Sequence, residues 1–252
     1  MNLRNILGVD VGGSGTKGAI IDTKTGDLFT ERFRIPTPSP AIPVKVAETI
    51  NKLVQHFNWD GPVGIGFPAV ILNGYAKTAA NIDKSFIDSN IEQLISQLIN
   101  CPVKVLNDAD AAGIAEMKFG AGKGYKGVVL IITVGSGIGT AIFTKGKLLA
   151  NTELGHVFMP NGITGENYAS DNVRQNNNLS WKEWAKRFNE YLLYMESLFW
   201  PDLIIIGGGV SKNDGKFMQH LTCKTKTIPA SLLNNAGIIG AALAAKKMMK
   251  SE

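Results

Sequence analysis

The pattern that most constrains this chain occurs twice: an apolar run, a bend of small residues, and a second apolar run. It appears as DVGGSGTKGAII at residues 10–21 and as TVGSGIGTAIF at 133–143. Each copy reads as a strand–turn–strand hairpin. Two of them predict two related α/β halves, each offering a glycine turn. Any β-rich chain can carry two glycine hairpins, so the duplication is an expectation for the fold to test. The first bend also spells GxGxxG from Gly13 to Gly18. A dinucleotide-binding turn needs a strand before it and a helix after it. NILGVDVG supplies the strand, but AIIDTKTGDLFTERFRI follows with no helical period and a turn at TKTG. That is a β-meander, which excludes the dinucleotide reading. A Walker-type loop is excluded too, because Gly18 follows Lys17 where Ser or Thr is required.

Strands and helices alternate beyond this point. Residues 39–57 place Val44, Ala47, Ile50, Leu53, Val54 and Phe57 on one helical face. PVGIGFPAVILNGYAKT holds two strands, the second bending at Asn73–Gly74. SNIEQLISQLI is an amphipathic helix, VKVLN a strand, and DADAAGIAEMKFG a helix closed by Gly120. GVVLIITV is a buried strand running into the second glycine bend, and Lys145–Gly146 makes the next turn. The polar stretch 161–179 reads as an exposed loop. Ser180 and Glu183 form a capping box. The helix they open carries Trp181, Trp184, Phe188, Leu192, Met195 and Phe199 at core spacing. DLIIIGGGVSKND adds a strand, a third glycine turn at 207–209 and a helix start. NNAGIIGAALAAKKMMK is a small-residue helix with basic residues at its end, where the helix dipole favours them.

Composition narrows the function classes. Lysine and arginine exceed aspartate and glutamate by 26 − 21 = 5. This favours anionic partners, but no run of like charge marks a nucleic-acid arm. Cys101 and Cys223 stand alone, with no spacing for zinc or a disulfide framework. Asp10 interrupts the N-terminal apolar stretch too early for a signal peptide, and no apolar run reaches ~18 residues. A cytoplasmic protein without a membrane partner is expected. Three glycine turns after apolar strands favour phosphate chemistry, because bare backbone amides approach phosphate oxygens closely. Asn107 and Asp108 stand at a strand-to-helix junction. Such residues cap helices there, yet α/β proteins also bind ligands at that end of a sheet. An aspartate so placed can accept a proton from a hydroxyl attacking phosphorus. NTELGHVF sets Glu153 and His156 on one face of a turn, with Glu166 close behind in sequence. Hydrogen bonding to a polyol suits this set better than a metal.

Taken in order, GVDVGGSGTKGAIID, GIGFPAV, TAANIDKSF, LNDADAAGIAEMKFGAG, TVGSGIGTAIF, NTELGHVF and PDLIIIGGGVSKND resemble the motifs of bacterial ROK sugar kinases. Among these the likeness is to polyphosphate glucokinases, and it runs from Ile6 to Ala245. The resemblance implies the actin/hexokinase-like (ribonuclease H-like) duplicated α/β fold, two domains with an interdomain cleft. Residues 1–107, joined by a C-terminal helix over 236–252, would form one domain and 108–235 the other. It implies phosphorylation of glucose at the 6-hydroxyl, with inorganic polyphosphate or ATP as donor, Mg2+ and a homodimer; no zinc is expected, because the cysteines that hold it in many members are absent after His156. By the same resemblance Asp108 matches the catalytic base, and Asn81, Asn107, Glu153, His156 and Glu166 match sugar contacts. Asp10, Gly12, Gly13, Lys17, Gly135, Ser136, Gly137 and Gly208 match the phosphate-side turns. Lys77, Lys84, Lys118, Lys123 and Lys126 are scattered near these motifs as candidate polyanion contacts. The chain departs from the family at three positions. Ala69 replaces a glycine beside the sugar, Ser136 a threonine and Phe86 a tryptophan, and no zinc-binding cysteines follow His156. An ATP-dependent glucokinase, another hexose kinase and a non-catalytic sugar-binding member are the alternatives. With nine residues ahead of Asp10, the DNA-binding segment of ROK regulators is not expected.

Overall fold

A computed structural model describes residues 4–80 and 82–250. The chain divides into two compact units, one running to Ala115 and resuming at Asn235, the other covering Glu116 to Asn234. In the first, β1 (Asn5–Gly12), β2 (Gly15–Asp22) and β3 (Phe33–Ile35) form the expected antiparallel meander. The Gly12–Gly15 pair closes it around Gly13 and Ser14, which explains why the GxGxxG spelling serves no dinucleotide. Helix α1 (Pro43–His56) leads to β4 (Val63–Phe67) and the small β5 (Ile71–Leu72) and β6 (Tyr75–Ala76) hairpin. Asn73 and Gly74 both take positive φ at its bend, as the two-residue turn requires. Helix α2 (Ile91–Ile99) then precedes β7 (Val103–Asn107) and α3 (Asp108–Phe119). The strand order is β3-β2-β1-β4-β7, with β4 parallel to β1 and β7 parallel to β4.

The second unit repeats this plan. β8 (Val128–Val134), β9 (Ile138–Thr144) and β10 (Lys147–Leu149) form a meander. Helices α4 (Gly165–Ala169), α5 (Asp171–Asn176) and α6 (Trp181–Phe199) precede β11 (Leu203–Gly208), and α7 (Asp214–Phe217) precedes β12 (Thr227–Pro229). The order is β10-β9-β8-β11-β12, again with the last two strands parallel to the first of the meander. The internal duplication is therefore present strand for strand. Helix α8 (Ala236–Met248) belongs to the first unit and packs on β1 and β4.

Three local readings are corrected. The stretch 161–179 is not an irregular loop: Thr164 caps α4 and Ser170 caps α5, each accepting a backbone N–H. Val44 is exposed, and Val46 and Thr49 take the buried face of α1 beside Ala47, Ile50, Leu53 and Val54. The division between units falls inside α3, after Ala115, rather than at 107/108. Its early turns pack on the first unit through Ala111, whereas Glu116 is buried and accepts hydrogen bonds from Ala121, Ser231 and Leu232.

The capping box at Ser180 and Glu183 holds, and α6 buries Trp184, Phe188, Leu192 and Met195 as core. In the first unit the close approach is backbone on backbone. A Cβ at Gly8 would collide with the carbonyl of Ile238, one at Gly64 with that of Ala241, and one at Gly240 with that of Ala111. Only glycine lets α8 settle on the sheet. Gly64→Ala is therefore expected to lower the unfolding free energy by about 3 kcal/mol. A urea midpoint that stays unchanged in this variant would contradict the close approach.

Candidate active site

The parallel strands of the first unit put Asp10 beside Gly66 and Gly66 beside Leu106. Asp10 and the Asn107–Asp108 pair thus meet at the carboxyl end of one sheet, the end where open α/β sheets bind ligands. The two junction residues have different local roles. Asn107 is buried, and its Oδ1 accepts from the N–H groups of Ala109 at 2.9 Å and Asp110 at 3.1 Å. Its Nδ2 donates to the carbonyl of Ala69 at 3.2 Å, which fixes the amide in one orientation. The start of α3 is thus capped through Asn107, with Asp108 sharing the Ala109 N–H. Asp108 opens α3, with Oδ1 2.8 Å from the N–H of Ala109, and its backbone lies against Gly66.

Ala69 acts here through its carbonyl while its methyl is buried. Phe86 is buried and packs on Phe67, ring centres 5.0 Å apart, directly beneath the strand position paired with Asn107. Asn81 lies outside the described residues.

The first glycine hairpin is ordered around Asp10. Lys17 stands opposite it in register, with Nζ 3.6 Å from the carboxylate. Burial pushes the Asp10 carboxyl above the usual carboxylate range, while Lys17 and Arg32 oppose that rise. Gly12 accepts at its carbonyl from the Thr37 hydroxyl at 2.6 Å, and Gly13 faces open space. Arg34 donates to the carbonyl of Ser14. Neither arginine figured among the expected site residues. The alternation in ERFRI is the signal that would have found them, since it sets Arg32 and Arg34 two apart on one side of an edge strand. Of the scattered lysines, Lys77 is held by Asp88 at 2.7 Å.

The second unit gathers its own set. Glu153 is the N-cap residue of a 3-10 turn that His156 ends, with Oε2 and Nδ1 3.5 Å apart. Glu166, in the first turn of α4, lies near enough to raise the Glu153 carboxyl, although burial is the larger cause and His156 opposes it. Glu166 Oε2 also accepts from the N–H of Ile138 at 3.0 Å. The acid cluster is therefore tied to the glycine bend at Gly135–Gly137, where β9 begins. That bend closes by a Gly135 N–H to Gly137 carbonyl bond of 3.0 Å, leaves Ser136 exposed, and lends the Gly135 carbonyl to the N–H of Asp171. Gly208 takes positive φ at the end of β11, where a Cβ would strike the backbone of Val134. Buried Thr140 braces the 152–154 segment, donating to the Thr152 carbonyl at 2.6 Å and accepting from the N–H of Leu154 at 3.1 Å. Sequence reasoning missed Thr140.

One sheet plan used twice, each copy opening with a glycine hairpin, defines the actin/hexokinase-like class of sugar kinases. The chain belongs to the ROK family, whose profile matches residues 6–169. It is 45% identical to the polyphosphate glucokinase of Mycobacterium tuberculosis over 242 residues, 96% of this chain and 91% of that protein. The inorganic polyphosphate/ATP-glucomannokinase of Arthrobacter sp. strain KM superposes with a TM-score of 0.94 at 43% identity, covering 98% of this chain and 99% of that one. A ROK glucokinase from Streptomyces griseus, solved with glucose and AMPPNP, gives 0.81 at 26% identity, covering 96% and 99%. Among the described residues no helix is long and apolar enough to cross a membrane.

Thr140→Val would strand the Leu154 N–H and is expected to cost about 2 kcal/mol of stability. Faster amide exchange at Leu154 is the accompanying sign, and unchanged protection there would remove Thr140 from the bracing role.

Proposed function

We propose that this chain is a glucokinase that moves the terminal phosphoryl group of inorganic polyphosphate to the 6-hydroxyl of glucose, with ATP as a second donor. The observation that carries the reading is the carboxyl end of the first sheet. There Asn107 caps the start of α3, Asp108 stands beside it, and Asp10 and Lys17 flank a glycine hairpin. The 45% likeness to a polyphosphate glucokinase supports the donor and the sugar. ATP is retained because the Arthrobacter relative is an inorganic polyphosphate/ATP-glucomannokinase.

Asp108 accepts the O6 proton as that oxygen attacks the terminal phosphorus. The bond from phosphorus to the rest of the donor breaks, leaving glucose 6-phosphate and a chain one phosphate shorter. Such a base contributes ~10²–10⁴-fold, and positioning with charge neutralisation supplies most of the remainder. In the first unit the amides of Gly12 and Gly13 suit phosphate oxygens and Lys17 adds a point charge; in the second, the Gly135–Gly137 bend with its exposed Ser136 hydroxyl, and the turn at Gly208, suit them as well. Asn107 and Asn81 in the first unit, and Glu153, His156 and Glu166 in the second, are each suited to hydrogen-bond sugar hydroxyls. The Asp10 carboxylate is a hard oxygen donor suited to Mg2+ carried with the phosphates, and the ion would supply neutralising charge there.

A coupled assay with glucose, offering polyphosphate and ATP at equal phosphoryl concentration, tests the reading. Glucose binding without turnover from either donor overturns the enzyme, and a much higher kcat/KM with ATP overturns the donor. In the same assay Asp108→Asn is expected to lower kcat by ~10²–10⁴-fold with glucose affinity little changed. Near-normal turnover removes Asp108 from its role.

The raised Glu153 carboxyl sets a pH dependence. As pH falls, Glu153 takes up its proton while an ordinary glutamate is still ionised, so the acceptor for a sugar hydroxyl is lost early. KM for glucose should climb on that acid limb, and the limb should flatten in Glu153→Gln.

A further inference from the structure

Three cations share one face of the first sheet beside its glycine hairpin. Lys17 lies opposite Asp10 on β1 and opposite Arg34 on β3, and directly opposed residues project to the same side. This is the side covered by α8, since Gly237 in the first turn of that helix approaches Asp10. Arg34 reaches over the turn, donating to the Ser14 carbonyl with its guanidinium against Gly15. Arg32 lies on the same side, where its Nη1 donates to Asn235 Oδ1 at 3.4 Å just before α8 begins. Its charge is also felt at the Asp10 carboxyl. Both arginines are exposed, on or next to the edge strand of the sheet. Asp10 is the carboxylate facing Lys17 in this register.

A guanidinium fork matches two phosphate oxygens at once, and cations so close together on one face favour a ligand with repeated negative charge. Beyond its third phosphate a nucleotide presents ribose and base. A chain polyanion goes on presenting oxygens.

We propose that Arg32 and Arg34 are specificity determinants for the donor, binding phosphates of a polyphosphate chain beyond those held by the Gly12–Gly15 turn. The inference rests on the donor proposed above and assigns its distal contacts. Each guanidinium adds charge-assisted bonds to a chain long enough to reach it. The gain therefore grows with donor length and is screened by salt.

The test compares tripolyphosphate, long-chain polyphosphate and ATP at saturating glucose, using wild type, Arg32→Gln, Arg34→Lys and the double variant Arg32→Gln/Arg34→Gln. The double variant is expected to lose about tenfold or more in kcat/KM with long-chain polyphosphate and about twofold with ATP. Its KM for the long chain should also depend less steeply on salt. Arg34→Lys keeps the charge without the fork and should fall between wild type and the double variant. Equal losses with all three donors would mean that Arg34 only braces the Ser14 turn, and would overturn the proposal. An unchanged long-chain kcat/KM in the double variant would overturn it as well. A wild-type protein that takes no phosphoryl group from polyphosphate overturns the donor reading, and the arginine track with it. A wild type that uses polyphosphate, with variants that use it equally well, overturns the track alone.

Discussion

The contact of α8 with the first sheet governs the geometry of everything at that sheet's carboxyl end. Side chains normally hold a helix about 10 Å from a sheet. Here Gly8 and Gly64 on the strands let main chain meet main chain, and Gly240 lets the same helix close on α3 at Ala111. The result is a rigid seat, because shortening the approach leaves no flexible side chain to absorb a shift. Gly237 at the head of the same helix comes against Asp10, so the position of that carboxylate is set by the far end of the chain. Asp10 in turn is opposed by Lys17, and Lys17 by Arg34. A chain of cross-strand neighbours thus carries the placement of the helix outward to the edge of the sheet.

The second unit solves its version of the same problem by hydrogen bonding. Its glycine bend is tied to the acid cluster through the Ile138 N–H on Glu166, and to α5 through the Gly135 carbonyl. Thr140 fixes the intervening segment. A carboxylate that anchors a backbone amide beside two other titratable groups has little freedom to reorient. Glu166 is thereby preorganised, and Glu153 holds its proton more firmly because it is half-buried next to a like charge.

Much of this was legible in the residues. The two hairpins, the buried strands at 128–134 and 203–208, and the Ser180 cap rest on short-range patterns, and they stand as read. The motif order identified the family. What escaped was set by tertiary context. Asn and Asp cap helices equally well, so only the hydrogen bonds of Asn107 separate its work from that of Asp108. Thr164 and Ser170 look like loop residues until their oxygens are found on backbone amides. The phase of α1 slipped at its first turn, where Val44 and Val46 fit a helical period about equally but only one meets the sheet. Arg32 and Arg34 went unmarked because their meaning comes from Ser14, Asn235 and Asp10, all distant in sequence or across a turn.

The place of α8 also bears on how the chain folds. The second unit is contiguous, from Glu116 to Asn234, whereas the first is assembled from two stretches on either side of it. The glycine face of β1 and β4 is covered only when α8 meets it. Closing the first unit therefore means closing a loop that holds the whole of the second. The entropic cost of such a loop grows only slowly with its length. A folded second unit shortens it further, because the Leu232 N–H on Glu116 ties its two ends together.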